Sequence, residues 1–541
     1  MNGRTRTQMK ANLWESIPCL LRPPPLKWVA NRIKRWLWAC NESHSSCNLP
    51  KSTPLPTRVI DVGSPNVQPR LYTTSGESAR YITLSHRWAS PESRSKRLMT
   101  TKSNIASMCS GIPIDDLPKT FLEAVEVTRA LGIQYLWIDS LCVIQNDAQD
   151  KAHEVNLMMD VYSNAYLTLA ADWSPHSDGG LYVSPRTIRS GIDVPDSSGN
   201  EHEILIGGAF DSAEYENCKA RHNVSVLNTR GWVLQERILS HRTVRFGSYE
   251  LQWTCAELEG CQCERSPSPP KDYEPLVPGL ETHFRELMEA FGHRDTLHLV
   301  HRSLARRWNA IVSDYSQREL TFDEDRLSAI AGIAGKIPIL RDDYVAGMWQ
   351  VWLKASLGWY TPLLPNWATK EHVRMPPSYA PSWSWASVIA PVMFSFTETS
   401  DFHCVRINLE AVDASPDVPY DTVRLVARGY LVPCILGITS GLSVPWIPEG
   451  PCLEYMSEGI HIDTGWMSTD WEDRQLSLFL ISADRGGSVS FLSTHWLLLQ
   501  LDESGEREIY TRFGFVKLQH TVQEYHAILR GLGRRSVVRI V

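Results

Sequence analysis

The chain has 541 residues, of which 43% are hydrophobic and 21% charged, and its net charge is −7. These values lie near the average of globular proteins and exclude a disordered, collagenous or coiled-coil chain. Twelve cysteines are too few for a secreted disulfide-rich scaffold, and the first residues lack the apolar core of a signal peptide. We therefore expect reduced thiols and a cytoplasmic location.

No segment has the roughly 20 consecutive apolar residues that a membrane-spanning helix requires. The uncharged stretch 429–448 comes nearest, but it contains three prolines. The first 50 residues are basic, and the segment 27–38 is most simply interpreted as a solvated helix whose tryptophans pack on the body of the protein. We therefore expect no transmembrane segment and no nucleic-acid partner.

Strands and helices are predicted to alternate between residues 81 and 170. Apolar runs predict strands at 81–85, 135–139 and 165–170. Helical spacing of apolar residues predicts one helix over 118–132, closed by Gly132, and a second from about residue 148. Strand, helix, strand, helix, strand indicates a parallel sheet with flanking helices, the α/β class.

After this alternation the pattern changes. Strands are predicted at 243–246 and 250–254, helices near 297–314, 325–336 and 343–359, and short strands from about residue 382 onward. We therefore divide the chain into an N-terminal extension (1–80), an α/β domain (81–237), its β extension (238–265), a proline-rich linker (266–280), a helical region (281–375) and a β-rich C-terminal region (376–541).

The common nucleotide-binding and hydrolase signatures are missing from the sequence. It contains no Walker loop, no GxGxxG after a strand, no HExxH and no GxSxG. In open α/β sheets, however, ligands bind at the carboxyl ends of the parallel strands. Two such ends are polar here, at 85–87 and 139–140. The predicted sheet brings both to one edge, which is therefore the candidate site.

The candidate residues at this edge suggest several roles. Asp139 is a candidate base or ribose anchor, and His86 is a candidate proton carrier. Either Asp139 or Glu236 could be the carboxylate that stabilises an oxocarbenium-like transition state, and their spacing does not select between them. The candidates for binding a phosphate or cofactor are Arg87, Ser140 and Arg230. The competing interpretation is structural: Asp139 and Ser140 cap the following turn, and Arg230 pairs with Glu236.

Cysteine and histidine residues form a second candidate group. Thiolate and imidazole ligands at close spacing bind zinc, and two half-sites from distant segments can complete a tetrahedron. Neither half has the familiar CxxC spacing, so unligated thiols are the favoured interpretation and no metal or cofactor is expected. The weak metal candidates are Cys40, His44, Cys47, Cys255, Cys261 and Cys263.

Four segments resemble, in order and spacing, the blocks of the fungal heterokaryon incompatibility (HET) domain. They are Tyr81–Trp88, Leu131–Gln145, Met159–Ala165 and Arg230–Glu236. The resemblance implies an α/β HET domain with a remotely TIR-like parallel sheet and flanking helices. In this chain a helical segment and a β-rich C-terminal region would follow the domain.

The resemblance also implies a function, namely fungal non-self recognition and programmed cell death signalled through this domain. No motif in the sequence requires catalysis, so we interpret the domain as acting by self-association and by binding protein partners. The alternative is a TIR-like enzyme, a glycohydrolase that cleaves NAD or a related nucleotide, with Asp139 or Glu236 as its carboxylate.

Overall fold

The computed structural model of the chain divides into two units, Met1–Tyr273 and Glu274–Val541, which are described separately. The structure describes residues 26–47, 50, 52–65, 67–88, 98–182, 190–195, 201–206, 225–247, 251–261, 297–337, 343–362, 373–395, 406–410, 424–439, 442–446, 457–462, 476–485, 491–501, 509–521, 523 and 536–540. The predicted linker at 266–280 lies outside these residues, and the bounds of the six predicted segments stay predictions.

Strands of the first unit form one large sheet and two small pairs. The described strands are β1 (Thr53–Pro54), β2 (Arg58–Asp61), β3 (Arg70–Thr73), β4 (Ser78–Ala79), β5 (Tyr81–Ser85), β6 (Tyr135–Trp137), β7 (Leu167–Ala170), β8 (Ser190–Pro195), β9 (Glu201–Ile206), β10 (Arg242–Phe246), β11 (Leu251–Cys255) and β12 (Glu259–Cys261). The large sheet has the order β12-β11-β10-β7-β5-β6-β2-β3, whereas β1 pairs with β4 and β8 with β9.

The centre of the large sheet is parallel and its two sides are antiparallel. Strands β10, β7, β5 and β6 run parallel, and Thr83 of β5 lies opposite Thr168 of β7 on one side and Trp137 of β6 on the other. Every residue of β5 and β7 is buried, as expected for strands covered on both faces. The predicted parallel sheet is thus correct for the centre, but the whole sheet is mixed.

Helices of the first unit are α1 (Leu26–Ser43), α2 (Ile105–Ser110), α3 (Lys119–Leu131), α4 (Asp139–Cys142), α5 (Ala148–Asn164) and α6 (Gly231–Leu239). In α3 the predicted apolar face is buried, and Gly132 ends the helix in the left-handed conformation with φ of 78°. Asp147 caps α5 by accepting hydrogen bonds from the backbone N–H groups of Gln149 and Asp150.

The second unit combines helices, short strand pairs and a large β-sheet. Its helices are α7 (Leu297–Ser316), α8 (Ser328–Gly335) and α9 (Leu353–Ser356), and the short strands are β13 (Tyr344–Val345), β14 (Met348–Trp349), β15 (Trp359–Tyr360), β16 (Val373–Arg374), β17 (Val388–Ile389) and β18 (Met393–Phe394). The remaining strands are β19 (Arg406–Glu410), β20 (Arg424–Gly429), β21 (Leu431–Thr439), β22 (Leu442–Trp446), β23 (Ser457–Ile462), β24 (Leu476–Arg485), β25 (Phe491–Leu501), β26 (Ile509–Thr521) and β27 (Ser536–Ile540).

Strands β19 to β27 form one sheet. Eight of them follow the order β19-β20-β27-β26-β25-β24-β21-β22, and the ninth, β23, pairs with β26. All its pairings are antiparallel except that between β26 and β27. The β-rich C-terminal region is therefore present as predicted. No helix among the residues described in either unit is long and apolar enough to cross a membrane.

The single helix predicted at 343–359 is wrong, because a tight turn interrupts this segment. Ala346 and Gly347 both have positive φ values, 50° and 82°, and they connect β13 to β14 as a hairpin. Two positive φ values at the centre of a turn suit the twist of a hairpin and interrupt a helix. Buried tryptophans surround the turn: the indole N–H groups of Trp308 and Trp385 donate to the Gly347 carbonyl oxygen at 3.2 and 2.9 Å.

Candidate functional site

The candidate site lies where three segments of the first unit meet. Strand β5 ends at Ser85 and leads into His86, β6 ends just before Asp139, and α6 carries Glu236. Because β5 and β6 are parallel neighbours, their carboxyl ends share one edge of the sheet. His86 Nδ1 lies 3.7 Å from Asp139 Oδ1 across this edge.

Asp139 is held by hydrogen bonds on both carboxylate oxygens. Oδ1 accepts from the backbone N–H of Ser140 at 2.7 Å, and Oδ2 accepts from the indole N–H of Trp88 at 2.7 Å. The first contact lies within the short helix α4, which begins at Asp139; Ile138 is its N-cap residue, and no side-chain hydrogen bond caps the helix. The second ties the loop after β5 to the loop after β6, so Asp139 joins the two strand ends.

His86 is buried and its ring nitrogens make no hydrogen bond among the described residues. The ring packs edge-on against Phe121, with 4.8 Å between ring centroids. Burial lowers the pKa of His86, and the nearby Asp139 only partly opposes this effect. The imidazole is therefore neutral near pH 7, so a second proton would have to be taken up against the cost of burial.

Glu236 is the buried carboxyl group of the site. It is 7% exposed, and the Ser85 hydroxyl donates to its Oε2. Burial raises the pKa of Glu236 to about 7, while the hydrogen bond from Ser85 and the charge of Arg230 act in the opposite direction. A carboxyl group with such a pKa exchanges its proton near neutral pH, which is the property of a general acid or base.

The three residues predicted to bind a phosphate or cofactor differ in their surroundings. Arg230 Nη1 donates to the His86 carbonyl oxygen at 3.0 Å, and its charge lowers the pKa of Glu236 through space. Arg87 is half-buried next to His86. Ser140 is buried, and its hydroxyl has no hydrogen-bond partner among the described residues. The structure thus brings His86, Asp139, Ser140, Arg230 and Glu236 into one region.

Sequence reasoning missed several members of this region. Ser85 and Glu236 line a small pocket that extends along the ends of β7 and β10, where Arg245 Nε donates to Asp172 Oδ2 at 2.6 Å in a buried ion pair. His86 and Asp139 do not line this pocket. Asp172 comes just after the end of β7, so the rule that selected residues 85–87 and 139–140 would have selected it too, whereas Arg245 lies inside β10.

The cysteine candidates converge at a separate place. The ligand atoms of Cys40, His44, Cys47 and Cys255 all lie within 4.8 Å of one another. The Cys261 side chain and Cys263 lie outside the described residues. Another thiol, Cys142, is fully buried, and burial raises its pKa to about 12. It is therefore a poor nucleophile and acts as a small core residue.

Comparison with known proteins gives a family match for the part of the chain that contains most of the candidate site. The family model described as "Heterokaryon incompatibility protein (HET)" matches residues 81–236. The matched segment begins with β5 and ends at Glu236, so it includes the ends of both parallel strands and most of α6. No curated protein and no solved structure matches the chain.

Proposed function

The chain contains a heterokaryon incompatibility (HET) domain at residues 81–236, and from this premise we propose that it acts in fungal non-self recognition. In this proposal the HET domain signals programmed cell death from the cytoplasm by self-association and by binding protein partners. The family match supports a function of the heterokaryon incompatibility type. The signalling mechanism is our inference from the site.

The observation that carries this mechanism is that the charged groups at this edge are engaged by neighbouring uncharged groups of the protein itself. Asp139 accepts from Trp88 and from the Ser140 backbone, Glu236 accepts from Ser85, and Arg230 donates to the backbone of His86. These hydrogen bonds connect the residues at the end of β5, the start of α4 and helix α6 to one another. An edge held together in this way is suited to presenting a surface to another protein.

Inducible expression of the full chain in a filamentous fungus tests the proposal, with the dead-cell fraction counted by a vital dye. We expect the wild type to kill the cells and to self-associate in light scattering of the purified protein. The Trp88→Phe variant keeps an aromatic ring but removes the donor to Asp139, so it should kill fewer cells. A wild type that is monomeric at high concentration and harmless in cells would contradict the proposal.

A second candidate function, NAD cleavage by a TIR-like fold, is favoured by one observation. Glu236 has a pKa raised to about 7, and it accepts a hydrogen bond from Ser85, the residue before the buried, neutral His86. An ionised carboxylate can stabilise the oxocarbenium-like ribose as the bond to nicotinamide breaks. Water then adds to the ribose carbon and releases a proton, which leaves nicotinamide and ADP-ribose as products.

Glu236→Gln distinguishes the two mechanisms because it keeps the side-chain shape but cannot ionise. If the domain acts by self-association and partner binding, this variant still kills cells, and neither the variant nor the wild type releases nicotinamide from NAD. Under the enzymatic mechanism the wild type releases nicotinamide at a rate that rises as the pH passes 7, and both release and killing are lost in Glu236→Gln. Glu259→Gln, an exposed position on β12, is the matched control.

A further inference from the structure

Three thiols and one imidazole meet beside the first helix of the chain. Cys40 lies in the last turn of α1, His44 and Cys47 follow it, and Cys255 is the last residue of β11. His44 and Cys255 are 211 positions apart, yet His44 Nδ1 lies 3.3 Å from Cys255 Sγ and 3.8 Å from Cys47 Sγ. We propose that Cys40, His44, Cys47 and Cys255 bind one structural zinc ion.

The distances match the size of a zinc tetrahedron. With Zn–S bonds of about 2.3 Å and Zn–N bonds of about 2.0–2.1 Å, neighbouring ligand atoms lie roughly 3.5–3.8 Å apart. Of the two distances measured from His44 Nδ1, the one to Cys255 Sγ, 3.3 Å, is slightly below this range, and the one to Cys47 Sγ, 3.8 Å, is at its upper end. All four ligand atoms lie within 4.8 Å of one another. Binding would require the more distant pairs to approach by about 1 Å at most.

The ligand set selects the metal and the kind of site. Three thiolates and one imidazole are soft and borderline ligands, which favour zinc over magnesium or calcium. Four protein ligands complete the tetrahedron, so no position is left for water or substrate, as in structural rather than catalytic zinc sites. The three thiols are buried, with Cys40 fully so. Their surroundings therefore limit the access of solvent to a bound ion.

A buried arginine provides the charge that such a site needs. Zinc with three thiolates and a neutral imidazole has a net charge of −1. Arg242 is 2% exposed, lies opposite Cys255 in the β10–β11 pair, and donates to the Cys47 carbonyl oxygen at 2.9 Å. It also donates to Asn41 Oδ1 at 2.7 Å. A buried cation in this position offsets the charge of the metal centre and fixes the Cys47 backbone.

A bound zinc ion would link helix α1 to the large sheet through shared ligands. The helix already buries Val29, Ile33 and Leu37, and Trp36 stacks on Trp253 of β11 with 5.9 Å between ring centroids. These contacts lie along the helix, whereas the zinc ligands lie at its end. Zinc would therefore link the end of α1 to the end of β11 in the large sheet, and its removal should loosen α1 first.

Metal analysis of the full chain tests the proposal. Protein produced in zinc-supplemented medium and purified without chelator should contain about one zinc per chain. Replacement by Co²⁺ should give thiolate-to-cobalt charge-transfer absorption and the visible bands of a tetrahedral site. His44→Ala and Cys255→Ser should each lower the zinc content at least fivefold. His44 is only half-buried, so its truncation tests the ligand with less risk to the fold.

Cys109→Ser is the matched control, because Cys109 is a free thiol on α2 outside the cluster. It should retain zinc and the cobalt spectrum. A chelator should lower the melting temperature of the wild type and of Cys109→Ser but not that of His44→Ala. Three results would each overturn the proposal: substoichiometric zinc together with no cobalt spectrum, zinc that both ligand variants retain in full, or a disulfide within the cluster of the freshly isolated protein.

Discussion

Replacing Glu236 with glutamine should stabilise the protein at alkaline pH and leave it unchanged in acid. Burial raises the pKa of Glu236 from its ordinary 4.5 to about 7. The folded protein therefore holds this proton more tightly than the unfolded chain, so folding becomes less favourable as the pH rises. Glutamine matches the protonated carboxyl group in size and can still accept the hydrogen bond from Ser85.

The magnitude follows from the two pKa values. Each pKa unit corresponds to about 1.4 kcal/mol, so ionising Glu236 in the folded state costs roughly 3 kcal/mol once the pH exceeds 7. This stabilising contribution of the protonated acid is fully present below pH 4.5 and is lost progressively up to about pH 7. For a unit of this size the difference corresponds to a melting temperature about 6–12 °C higher in Glu236→Gln above pH 7.

The assay is thermal unfolding followed by tryptophan fluorescence, for wild type and variant, at intervals between pH 4.5 and pH 8.5. The difference between the two melting temperatures should grow across the interval and level off above pH 7. Glu259→Gln, at an exposed position on β12, should show no such growth. A Glu236→Gln difference that is constant with pH would refute the reasoning, because it would mean that Glu236 titrates alike in the folded and unfolded states.

Three further substitutions test the packing and the caps. Trp137→Ala should destabilise the protein by about 3–5 kcal/mol in chemical denaturation, because Trp137 is fully buried and packs edge-on against Tyr162. Trp137→Phe keeps a six-membered aromatic ring and should cost well under half as much free energy of unfolding. Gly347→Ala should cost roughly 2–4 kcal/mol, since φ is 82° and the new Cβ would lie 2.7 Å from Trp385 Nε1; an unchanged melting temperature would contradict this. Asp147→Ala should cost about 1 kcal/mol by removing the cap of α5, and Asp147→Asn, which can still cap, should lose less.

Local patterns in the sequence were sufficient to predict a strand and a helix at the centre of the HET domain. The strand at 81–85 and the helix that Gly132 ends are both present, because their signals lie within a few residues of one another. The strand predicted at 135–139 is shorter, Tyr135–Trp137, since a short helix begins at Asp139. The apolar spacing at 343–359 suits a helix as well as a hairpin, and the positive φ values of Ala346 and Gly347 decide for the hairpin.

The sequence by itself determined the HET resemblance and the polar strand ends, including His86 and Asp139, because both depend on the order of residues along the chain. Only the tertiary structure decided which distant residues meet. The partner of Ser85 is Glu236, 151 positions away, and the fourth member of the 40–47 cluster is Cys255, whereas the sequence offered Cys261 and Cys263 as equal candidates. These pairings depend on the order of strands in the sheet, which brings β10 and β11 next to α1 and which no local periodicity specifies.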